Sequence, residues 1–127
     1  MKKEELYEDI TNILMSLKMQ PEITGFEYLR EGIGLCCQDK KYLNSITLVY
    51  SQLAKNHKTT SLIVERSIRT AIENAYLNGG ILGLNELYDT IVYNNDFKPT
   101  NGELILTIVN VIKLNNLKKS LQQLSVE

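Results

Sequence analysis

Along most of this chain the apolar residues recur three and four positions apart, and that spacing restricts it to helices. Over residues 4–19, Leu6, Ile10, Ile13, Leu14 and Leu17 make one apolar stripe, and Gln20-Pro21 ends the helix because proline disfavours helical geometry in the residue before it. A second helix starts at Thr24 or Gly25 and runs to Gln38, with Phe26, Leu29, Ile33 and Cys36 or Cys37 buried. Gly32 and Gly34 each cost it ~1 kcal/mol relative to alanine, which points to close packing on a neighbour or to a local break. Asp39-Lys40-Lys41 reads as a solvated connection, 43–47 as a short turn of helix, and 85–93 as a helix with Leu84, Leu87, Tyr88 and Ile91 inward. After the loop Asn94-Asn95-Asp96, Thr100 or Asn101 caps a long last helix that starts near Gly102, with Glu103 in its first turn. Leu104, Ile105, Ile108, Val109 and Ile112 form its core face. Only Ile91-Val92-Tyr93 is β-prone, so the predicted fold class is all-α, with about six helices in one domain over residues 1–127.

The rest is arranged around residues 50–76. Tyr50, Leu53 and Ala54 share a face of a short helix ending at Lys55, the turn Asn56-His57-Lys58-Thr59-Thr60 has no large apolar residue, and a longer helix follows from Ser61. This is the layout of a helix-turn-helix, whose second helix enters the DNA major groove. At about 100° per residue, Val64, Ile68, Ala71, Ile72 and Ala75 fall on the inner face, and Arg66, Arg69, Thr70 and Glu73 on the outer one. Leu62 and Ile63 lie near one edge of the outer set and Glu65 at the other. The candidate DNA-contacting residues are Lys58, Thr59, Thr60, Ser61, Leu62, Ile63, Glu65, Arg66, Arg69 and Thr70. Arginines three apart can reach guanine O6 and N7 or phosphates, and Glu65 can accept from a cytosine amino group. Lys55 and Lys58 can hold the backbone, and a helix N-terminus at Thr59 or Thr60 suits a phosphate. The plainer reading is a solvated helix face, and periodicity alone does not choose between the two.

Composition sets further bounds. The 127 residues carry a net charge of −1, so nucleic-acid binding must rest on local charge. From 55 to 69, Lys55, Lys58, Arg66 and Arg69 stand against Glu65, a balance of +3, whereas Glu4, Glu5, Glu8 and Asp9 make the start acidic. Cys36 and Cys37 are adjacent, which suits neither a disulfide nor a zinc site, and they read as reduced core residues. No apolar run approaches the ~20 residues needed to span a bilayer, and no signal peptide is visible, so the expected location is cytoplasmic. His57 has no nucleophile beside it in sequence and reads as a contact to solvent or phosphate. With no catalytic constellation, the expectation is a non-enzyme without metal or cofactor.

Several segments together are specific: Gly25-Phe26-Glu27-Tyr28-Leu29-Arg30-Glu31, Ser45-Ile46-Thr47, Leu53-Ala54-Lys55, Thr59-Thr60, Val64-Glu65-Arg66, Ile68-Arg69, Ala71-Ile72-Glu73 and Lys98-Pro99-Thr100-Asn101. In this order, over about residues 10 to 114, the chain resembles the C-terminal DNA-binding effector domains of the stage-zero sporulation response regulators. The resemblance implies six helices, a helix-turn-helix at 50–76, binding to short boxes in double-stranded DNA, and a role in transcription. By position it puts Glu65, Arg66 and Arg69 on the DNA-facing helix and Thr59 and Thr60 at its start. Such regulators carry a receiver domain that this sequence is expected to lack, leaving no phosphorylation control in cis. Where the family pattern has an arginine this chain has Ile63, and where it has a histidine this chain has Thr70. Isoleucine can meet a thymine methyl, so both altered preference and lost affinity follow as expectations. Past the family's usual end, residues 115–127 read as a helical extension. Leu114, Leu117, Leu121 and Leu124 either pair two copies or fold back on the core. A protein-interaction module that pairs with a full-length regulator is the alternative to a DNA-binding regulator.

Overall fold

The computed structural model describes residues 2–88 and 97–126. Six α-helices occur among them, with no strand: α1 Lys3–Ser16, α2 Thr24–Gln38, α3 Ile46–Asn56, α4 Ser61–Leu77, α5 Gly83–Tyr88 and α6 Asn101–Val126. Short 3-10 turns at Lys40–Asn44 and Gly80–Leu82 connect α2 to α3 and α4 to α5. The all-α expectation is met. The stripes read from the sequence become the core: Leu6, Ile10, Ile13, Leu14 and Leu17 from α1 and its end, Leu29 and Ile33 from α2, Val64, Ile68 and Ile72 from α4, and Leu104 and Ile108 from α6 are all buried.

Helix α2 lies at the centre and packs on α1, α3, α4 and α6. Its glycines set how closely. A Cβ on Gly25 would collide with the Ser67 carbonyl of α4 and sit 2.8 Å from the Ala71 Cβ. A Cβ on Gly32 would crowd Val49 Cγ1 of α3 at 3.1 Å, and one on Gly34 would meet the Tyr7 ring of α1 at 3.4 Å. The helix is continuous, so these glycines mark close packing and not a break. Cys36 is the buried member of the cysteine pair, and Cys37 is half-buried.

Several helix ends differ from expectation, for local reasons. Helix α1 stops at Ser16, before Pro21, because Lys18 turns left-handed at φ 59°. The Met19 amide then bonds back to the Leu14 carbonyl at 3.4 Å. Helix α3 begins at Ile46 and not at Tyr50, because the Ser45 hydroxyl accepts from the Leu48 amide at 3.3 Å and caps it. The turn expected at 43–47 is therefore divided between the 3-10 turn and α3, and the solvated 39–41 link is partly that same 3-10 turn, capped by Asp39. Gly79, at φ 72°, provides the left-handed stop after α4. At α6, Thr100 is the cap: its Oγ1 accepts from the Glu103 amide at 3.2 Å while Glu103 Oε1 accepts from the Thr100 amide at 2.9 Å, a reciprocal capping box. Of the predicted helix 85–93, the described part is within Gly83–Tyr88; Ile91, the Ile91-Val92-Tyr93 run, the loop at 94–96 and the Tyr88 side chain lie outside what is described.

The core face of α6 ends at Ile112. Beyond it Leu114 is half-buried, and Leu117, Leu121 and Leu124 are 56%, 56% and 70% exposed, so these three do not fold back onto the core.

The contact at Gly25 yields a stability prediction whose sign is set by packing. Alanine normally favours a helix over glycine by about 1 kcal/mol. Gly25→Ala is expected instead to destabilise by about 1–3 kcal/mol, because the Ser67 backbone must shift. Urea unfolding measures it, and an unchanged or raised midpoint contradicts the close approach.

Candidate nucleic-acid interface

The α3–α4 unit is joined by four residues, His57 to Thr60. Lys58 has φ 54°, and the Thr59 amide reaches back to the Ala54 carbonyl at 2.9 Å. This is a Schellman-type stop with lysine in the left-handed position where glycine is usual. Thr60 then caps α4: its Oγ1 accepts from the Ile63 amide at 3.2 Å. The turn thus ends one helix and starts the next within four residues, with Lys58 exposed and Thr59 half-buried.

A clamp from α2 holds this turn. Glu31 Oε2 lies 2.5 Å from His57 Nε2, and Glu31 Oε1 accepts from Asn56 Nδ2 at 2.8 Å. The Tyr28 ring meets the His57 ring edge-on, centroids 5.0 Å apart. His57 is thus exposed, in keeping with a contact to solvent, and is also a structural partner of Glu31.

The outward face of α4 is as the periodicity placed it. Leu62, Ile63, Arg66, Arg69 and Thr70 are exposed, Ser61 and Glu65 are half-buried, and Val64, Ile68, Ala71, Ile72 and Ala75 are buried. Glu65 Oε2 lies 3.4 Å from Arg69 Nη2, one turn on, so Glu65 orients that guanidinium. Arg66 makes no ion pair among the described residues, and it lines a surface cleft with Thr24, Gly25 and Thr70. A cavity of about 430 Å³ is lined by Glu65 and Arg69 together with Tyr50, Lys98 and Asn101.

Two residues reach this face from the start of α6. Lys98 Nζ lies 3.9 Å from Glu73 Oε2 and so adds a cation beside the outward face. Asn101 is buried, and its Nδ2 donates both to the Tyr50 hydroxyl at 2.9 Å and to the Glu65 backbone carbonyl at 3.1 Å. One amide thereby ties α3, α4 and α6 together. Burial pushes the Tyr50 phenol above its ordinary range, against the opposing bond from Asn101. In the sequence the Lys98-Pro99-Thr100-Asn101 run reads as a helix entry and a family mark; no local spacing places Lys98 or Asn101 against α4.

Other candidates are inert by comparison. Burial pushes the Cys36 and Cys37 thiols up to about 11, which suppresses thiolate at neutral pH. Among the described residues no group of three His, Cys, Asp or Glu is placed to hold a metal, and no helix is long and apolar enough to cross a membrane.

A family model described as the sporulation initiation factor Spo0A C terminal matches residues 10–112. The chain belongs to the Spo0A C-terminal family. The match has nearly the extent that the sequence motifs suggested. Spo0A C-terminal domains are DNA-binding effector domains, so the general character of this chain is that of a DNA-binding regulator. Within the family frame, Tyr28, Leu29, Arg30 and Glu31 serve the scaffold. Tyr28 and Leu29 are buried, Glu31 clamps the turn, and Arg30 lies over the Tyr7 ring, donates to Thr11 Oγ1 at 3.2 Å and pairs with Glu27.

Lys58 allows a direct check of the turn geometry. A left-handed conformation costs a non-glycine residue about 1–2 kcal/mol. Lys58→Gly is expected to raise stability by about 1 kcal/mol, read from the urea midpoint; a lowered midpoint contradicts the assignment.

Proposed function

We propose that this chain is a sequence-specific DNA-binding transcriptional regulator that reads a short box of double-stranded DNA with α4. The observation that carries this reading is the outward face of α4. Arg66 and Arg69 stand exposed beside a capped helix start, while the opposite face is fully committed to the core. A helix of a helix-turn-helix presents its N-terminal residues to base edges, and here those residues are Ser61, Leu62, Ile63, Glu65, Arg66, Arg69 and Thr70. Arg66 contacts bases or the adjoining phosphates. Arg69 does the same with its guanidinium aimed by Glu65. Lys58, Thr59 and Thr60 grip the backbone and fix register.

The exposed face of Leu117, Leu121 and Leu124 favours a second element of the reading, in which two copies pair through the far end of α6. It equally suits an adaptor that pairs with a full-length regulator without firm DNA contact. Salt dependence separates the two, because phosphate-driven binding weakens steeply as salt rises.

Arg66→Ala is expected to weaken binding to a box selected from random DNA by about 1–3 kcal/mol at fixed salt, measured by gel-shift titration. Equal affinities for variant and parent would remove Arg66 from the reading surface. For the pairing, sedimentation of the full chain is expected to give a dimer mass, and the double variant Leu117→Glu, Leu121→Glu a monomer. A monomer in both cases ends the pairing idea.

A further inference from the structure

The first turn of α4 has an unusual surface for a helix start. Leu62 is 54% exposed and Ile63 50% exposed, and the two are consecutive. Nothing in the chain obliges them to be apolar, since neither is a core residue and the helix is already capped by Thr60. Isolated exposed apolar residues need no explanation. These two, however, sit in line with the cationic part of the same face. Leu62 is four residues before Arg66 and seven before Arg69, and Ile63 is three before Arg66 and seven before Thr70. The face therefore runs from an apolar tip to a cationic middle.

We infer that Leu62 and Ile63 are specificity determinants that recognise thymine C5-methyl groups, so that the box is one with thymine at the first turn of α4 beside the bases met by Arg66. The inference rests on the DNA-reading role of α4 and refines it. The major groove offers one apolar feature, the thymine methyl, and aliphatic side chains are its natural contacts. A helix-turn-helix puts the N-terminal end of its second helix nearest the base edges, which is where these two residues stand. The branched aliphatic chain of Ile63 can neither donate nor accept a hydrogen bond, so the group it can recognise on a base edge is a methyl.

Deoxyuridine differs from thymidine only by lacking that methyl. The test takes a box selected from random DNA by the full chain and replaces each thymine in turn with deoxyuridine. Loss of affinity by about fourfold is expected at one or two positions, the effect of one buried methyl-sized group. Ile63→Ala and Leu62→Ala, both at exposed sites, are expected to bind the box more weakly and to be indifferent to uridine at the position each one faces. If every uridine substitution leaves affinity unchanged while Arg66→Ala still weakens binding, the methyl inference is overturned and DNA reading by α4 stands. If selection retains no DNA at low salt, DNA reading falls and the methyl inference falls with it.

Discussion

The close approach of α2 to α4, made possible at Gly25, is the contact on which the rest of the structure depends. A side chain there would strike the Ser67 carbonyl, so glycine lets the start of α2 lie directly on the middle of α4. The other fasteners act on the same helix. Asn101 holds the Glu65 carbonyl from one side, and at the far end Asn74 Oδ1 accepts from the Gln20 amide at 3.1 Å while Asn78 Nδ2 donates to the Lys18 carbonyl at 3.0 Å. Helix α4 is thus fixed along its inner side and at both ends. Its outward side carries only exposed ion pairs, Glu65 with Arg69 and Glu73 with Lys98, and a surface held in place before binding loses little freedom when a partner arrives.

What was legible in the sequence follows from the range of the forces involved. The two faces of α4 come from periodicity, and Val64, Ile68, Ala71, Ile72 and Ala75 are buried as the wheel requires. The start of α6 is local chemistry and was equally plain. The end of α1 and the start of α3 were not. Lys18 takes a left-handed conformation without the glycine that normally signals it, in a turn held by backbone bonds that any sequence can form, and Ser45 caps α3 ahead of Tyr50. The clamp from Glu31 to His57 spans 26 positions and the bond from Asn101 to Tyr50 spans 51, so neither leaves a pattern in a local window.

The family marks divide in an informative way. Tyr28, Leu29, Glu31 and Asn101 hold the fold, and Arg30 braces α1 against α2 through Tyr7 and Thr11. These residues explain why the resemblance is specific: each meets a packing or hydrogen-bonding demand of the scaffold. The two departures, Ile63 and Thr70, are both exposed on the outward face of α4. Neither position belongs to the buried core of α4.

The central claim is that the outward face of α4, and not the leucine face of α6, meets DNA. Amide NMR of the full chain titrated with a selected duplex tests it most directly. The largest shift changes are expected from Lys58 to Thr70, with smaller ones near Lys98 and little change at Leu117, Leu121 and Leu124. Changes centred on the far end of α6, with α4 unmoved, would contradict it.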